Sequence, residues 1–79
     1  MNKETLLTLN GDFTWNFGQH FLIETEKGLF VWSDPDYSGD NTIRPFKGTM
    51  EDFFGGQYGR DKGRHFISDY VGENFTYVE

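Results

Sequence analysis

Apolar and polar residues alternate in the first third of the chain and again at its end. Phe13, Trp15 and Phe17 alternate with Asp12, Thr14 and Asn16, the period of two that places every second side chain on one face of a strand. Asn10-Gly11 precedes this run and accepts positive φ at both central positions of a type I′ turn, so residues 4–9 and 12–17 are predicted to form a β-hairpin. A second hairpin is predicted from residues 20–26 and 29–33, turning at Lys27-Gly28. In it Phe21 and Ile23 alternate with His20, Leu22 and Glu24, whereas Leu29-Phe30-Val31-Trp32 is apolar on both faces and reads as a central strand.

Residues 34–41 combine Pro, Gly and three carboxylates and read as a loop. Residues 42–46 then fit a short edge strand. Thr49 can cap a helical turn over 49–54, with Glu51 and Asp52 suited to its positive dipole end and Gly55-Gly56 stopping it. Four Gly in residues 55–63 predict an irregular stretch. Two helical turns are expected over 64–71, ending at Gly72, where Phe66, Ile67, Tyr70 and Val71 fall at helical spacing to pack on the sheet. Residues 74–78 alternate again and read as a closing strand.

Composition sharpens the fold class. Nine Phe, four Tyr and two Trp outnumber the Leu, Ile, Val and Met residues, and Ala, the best helix former, is absent. The expectation is one α+β domain over residues 1–79: a small twisted antiparallel sheet of about five to six strands, two N-terminal hairpins among them, packed with one or two short helices. For a chain of 79 residues the folded surface should be about 4,900 Å². With no Cys, disulfides and thiolate metal sites are excluded. No apolar run reaches the roughly 18 residues a membrane helix needs, and the start is too short in apolar residues for a signal peptide, so a cytoplasmic protein is expected.

Three features carry candidate chemistry. Asp34, Asp36, Ser38 and Gly39 match the first positions of an EF-hand calcium loop, but Pro45 stands where the closing bidentate Glu belongs. A weaker oxygen site from Asp34, Asp36 and Asp40 is the residual metal reading, beside the simpler one of a solvated turn. Residues 59–65 hold the one basic cluster, with Arg60, Lys62 and Arg64 near Tyr58 and other rings, the combination that single-stranded nucleic-acid binders use. Pairing of those cations with neighbouring carboxylates is the plainer reading, and the net charge of −6 opposes phosphate. His20 and His65 are the imidazoles; an enzyme would pair one with Asp61 or Asp69, but Ser33, Ser38 and Ser68 lie in no nucleophile context. The expectation is a non-enzyme without cofactor.

The third feature is the spread of thirteen acidic residues. Spaced carboxylates imitate phosphates and can occupy a basic groove meant for nucleic acid. Asp34, Asp36, Tyr37 and Asp40 form the expected contact loop, extended by Glu51 and Asp52.

In its size, acidity, aromatic content and lack of Cys, the chain resembles the small phage and mobile-element proteins that inhibit bacterial defence, anti-CRISPR proteins in particular. The resemblance rests on no motif and carries no residue over. It implies a partner, a Cas protein or effector complex whose target recognition is blocked, inside an infected or lysogenic bacterial cell. No direct DNA binding and no membrane contact are expected, with the chain a monomer or small homo-oligomer.

Overall fold

The computed structural model describes residues 1–15, 20–33, 40–55 and 59–79. Six strands and, among the described residues, three short helices make an α+β fold with an open, mostly antiparallel sheet. Its folded surface is 4,799 Å², close to the area the chain length predicts.

The chain opens with helix α1, Lys3–Leu7, and not with a hairpin arm. Asn2 caps it, its Oδ1 accepting from the Thr5 N–H at 2.9 Å. Leu6 and Leu9, three apart, are both buried, a spacing that fits a helical turn and not a strand. Asn10-Gly11 is therefore not a turn but the start of strand β1, Asn10–Trp15. Gly11 serves there for closeness: a Cβ on it would stand 2.7 Å from Ile23 Cγ2 on the neighbouring strand.

β2, His20–Thr25, and β3, Gly28–Ser33, form the second predicted hairpin, with its turn one residue earlier, at Glu26-Lys27. A type I′ turn would need positive φ at both central residues. Instead the one positive φ of this turn, +127°, falls on Gly28, where a side chain would be strained. β4, Thr42–Phe46, has the predicted range but is not the predicted edge strand, because Thr76–Tyr77 pairs along its outer side; helix α2, Met50–Phe54, begins at its Thr49 cap and stops at Gly55.

The next two expectations are overturned. The described part of the Gly-rich segment, from residue 59, is no irregular loop: strand β5 runs Gly59–Phe66 and takes in Arg64–Phe66, so the helix after it, α3, is a single turn at Ile67–Tyr70. Phe66 consequently lies exposed in the strand, while Ile67, Tyr70 and Val71 pack inward as expected. Pairing along almost the whole of β1 supplies the backbone partners that override the weak strand preference of Gly and charged residues. The closing strand β6 is confined to Thr76–Tyr77 and lies parallel to β4.

The sheet order is β5-β1-β2-β3-β4-β6. The antiparallel pairings make β4 and β5 parallel to each other, so residues 47–58 must carry the chain across three intervening strands, about 19 Å at the usual strand spacing. Each face of the sheet then has its own cover. On one face Phe13, Phe21, Ile23, Phe30, Trp32 and Ile43 join Leu6, Leu9, Ile67 and Phe75 in the core. On the other, the register partners Thr14 and Leu22 are fully buried, and Phe53 of α2 meets Phe46 with ring centroids 5.4 Å apart. Leu22, expected on the polar side of its strand, is thus buried because that face is covered too.

Candidate interaction surface

Of the predicted contact residues, Asp34, Asp36 and Tyr37 lie outside the described residues. Asp40 is exposed at the head of β4. Its neighbour Asn41 is a structural hub: Asn41 Oδ1 accepts from the Trp32 indole N–H at 2.7 Å, and Asn41 Nδ2 donates to the Asn74 carbonyl at 3.2 Å. A buried indole needs such an acceptor, and the chain supplies it at the point where the acidic segment ends.

Glu51 and Asp52 are exposed in the first turn of α2. Asp52 has a second task, since its Oδ2 accepts from the Thr49 N–H at 2.7 Å while Thr49 Oγ1 accepts from the Asp52 N–H at 3.1 Å. The hydrogen bond from the Thr49 backbone N–H, then the one from its hydroxyl, holds the Asp52 carboxyl below the usual carboxylate range. Asp40 and the Glu51-Asp52 pair stand off opposite ends of β4, which is about 13 Å long at 3.3 Å per residue. They therefore form two separate points of negative charge and not one patch. Of the calcium trio only Asp40 is among the described residues, where no group of three or more His, Cys, Asp or Glu gathers.

The basic segment sits at the outer edge of the sheet. Tyr58 lies outside the described residues; Arg60 and Lys62 belong to β5 by backbone, and their side chains are likewise outside the description. Arg64 is drawn into the fold: its guanidinium lies 2.9 Å from Asp12 Oδ2 and donates to the Asn10 carbonyl at 3.2 Å. Between Asp12↔Arg64 and Thr14↔Arg60 the register advances two residues on β1 but four on β5. This bulge twists the edge and blunts it against pairing with another chain.

Neither imidazole is joined to a carboxylate by a described hydrogen bond. His20 Nδ1 lies 3.1 Å from Ser33 Oγ across the β2–β3 ladder. His65 sits among rings, edge-on to Phe13 at 5.9 Å and 5.5 Å from Tyr70, with its Nε2 buried and without a partner.

One surface escaped the sequence reading. The two ends of the chain meet along the outer side of β6 in an open groove of about 510 Å³, lined among others by Lys3, Phe75, Tyr77 and Glu79. The Lys3 ammonium lies 4.7 Å from the Phe75 ring centroid. No local pattern announces a contact between residues so far apart in the chain. Comparison of the chain with protein-family models, with curated proteins and with solved structures finds no match.

Proposed function

We propose that this chain is a non-enzymatic inhibitor that docks its acidic surface on a basic, nucleic-acid-binding site of a larger bacterial protein or nucleoprotein complex. The compositional resemblance supplies the partner class, a Cas effector. The observation that carries the reading is the exposure of carboxylates at two separate points, Asp40 before β4 and Glu51 with Asp52 after it. Arg64 of the basic segment, exposed as well, is held by Asp12 and the Asn10 carbonyl. Two carboxylate points separated by the length of β4 suit a partner whose cations are spaced to track a phosphate backbone. Asp34, Asp36 and Tyr37 belong to this proposal by sequence alone.

The competing reading, nucleic-acid binding through Arg60, Lys62 and Arg64, is weakened by the pairing of Arg64 and by the net charge. The test is binding of the tagged chain to purified Cas effector complexes with and without guide RNA, over a series of salt concentrations. Affinity that falls with salt, and is lost when Asp34, Asp36 and Asp40 are changed to Ala or Glu51 to Lys, is the expected result. Binding of free single-stranded nucleic acid that survives those changes and fails in Arg60→Ala would overturn it.

A further inference from the structure

β6 is the last strand of the sheet, and its backbone has a free side. Thr76 and Val78 turn their N–H groups inward, donating to the carbonyls of Asn41 and Ile43 at 2.9 Å each. The residue between them, Tyr77, therefore points its N–H and C=O away from β4, and Tyr77 also lines the groove. Of the three large apolar residues exposed among the described ones, Met1 lines this groove and Val78 follows Tyr77 in the chain, at 46% and 43% exposure. Unpaired strand backbone beside exposed apolar surface is the combination that strand-adding peptides recognise. The opposite edge of the sheet, β5, carries the bulge; this one carries none.

The charge in the groove selects the occupant. The Lys3 ammonium, held over Phe75, has no carboxylate at ion-pair distance among the described residues, whereas the Glu79 carboxylate is taken by the Met1 amine at 3.1 Å. From these contacts we infer that the outer side of β6 is a peptide-binding edge: an extended segment with alternating apolar and acidic residues adds beside Tyr77, exchanging backbone hydrogen bonds with it and setting a carboxylate against Lys3. At physiological salt the Debye length of about 8 Å limits the opposition of the remaining acidic surface, so the nearby cation governs. With two residues in β6 the ladder is short, and binding is accordingly weak.

The site is separate from the acidic surface proposed above, and its test needs no Cas protein. The full chain, labelled with nitrogen-15, is titrated with the acetylated, amidated peptide Val-Glu-Val-Glu-Val-Glu and, in parallel, with Val-Lys-Val-Lys-Val-Lys. The expected result is saturable shifts at the amides of Phe75, Tyr77 and Glu79, with slowed hydrogen exchange at Tyr77, for the acidic peptide. Tyr77→Pro removes an N–H that β4 does not use, so an edge position tolerates it, and it should abolish binding. Lys3→Gln, which leaves the ladder intact, should weaken binding several-fold and keeps the test decisive if the Pro variant unfolds. Absence of shifts at millimolar peptide, shifts centred on β5, equal or tighter binding of the lysine peptide, or self-association of the chain through β6 in sedimentation would each overturn the assignment.

Discussion

The Tyr70 ring lies stacked on that of Phe13, centroids 4.2 Å apart and planes inclined by 26°. The same ring meets Trp32 edge-on at 6.0 Å and Phe21 at 6.3 Å. A one-turn helix thus plants a single side chain against rings from three strands, which fastens the end of β5 to the core. Tyr70→Ala should destabilise the protein by about 3 kcal/mol, through lost burial and lost ring contacts. Urea unfolding checks this, and a change under 1 kcal/mol would mean that Tyr70 is peripheral.

Gly11 has no room for a methyl group. Gly11→Ala sets a Cβ against Ile23 Cγ2 and should cost about 1–3 kcal/mol by overpacking. Because the offending atom is the β-branch methyl, Ile23→Leu removes it. The double variant should lose less than the sum of the single ones, a coupling that a double-mutant cycle measures directly.

The Thr49–Asp52 capping box makes the start of α2 sensitive to acid. Hydrogen bonds from Thr49 lower the Asp52 pKa in the folded protein, so the carboxylate supports the helix above its ordinary pKa of about 3.9, and that support is lost as pH falls through the lowered folded value. Carbon-detected titration of Asp52 should give a value below the ordinary one, and Thr49→Ala, which removes the hydroxyl but keeps the backbone N–H, should move it only part of the way back up. A value in the parent chain no lower than the ordinary one would remove the box as the cause.

Tyr77 titrates in the other direction. Its burial first, then the charge of Glu79 and the hydrogen bond its hydroxyl donates to that carboxylate, raise the phenol pKa. The contribution to stability is complete below the ordinary value of about 10 and is lost as pH rises through the raised one. In Glu79→Gln the Tyr77 ring resonances should titrate at lower pH than in the parent chain, but still above the ordinary value because the burial remains. A midpoint unmoved by the substitution would show that burial alone sets it.

How much of this was legible depends on where each element finds its partners. β2, β3, β4 and the α2 cap are written in local pattern: alternating rings, a Gly at the turn, and Thr49 three residues before Asp52. The N-terminal helix was missed because Asn10-Gly11 is a strong hairpin dipeptide, and its competitor, the Leu6 and Leu9 pair behind the Asn2 cap, is a weaker signal. β5 was missed for a different reason. Its Gly and charged residues have poor strand preference, and the partner that holds them, β1, lies far away in sequence. The same distance hid the groove at Lys3 and Phe75, while the separation of Asp40 from Glu51 follows from β4 itself, which the sequence did announce.

That remote pairing orders the assembly of the molecule in time. Arg64 is 54 residues along the chain from Asn10, whose carbonyl it holds, whereas β1, β2 and β3 each pair with the next strand in sequence. The four-strand meander closes short loops and can gather as it leaves the ribosome, but β5 must wait for the whole crossover before it meets β1, at the entropic cost of a long loop. Until then β1 stands as an open edge with Phe13 lacking Tyr70. The last third of the chain acts as the latch of its own synthesis, and the interval before it closes is when the protein is most open to proteolysis and to pairing with another copy of itself.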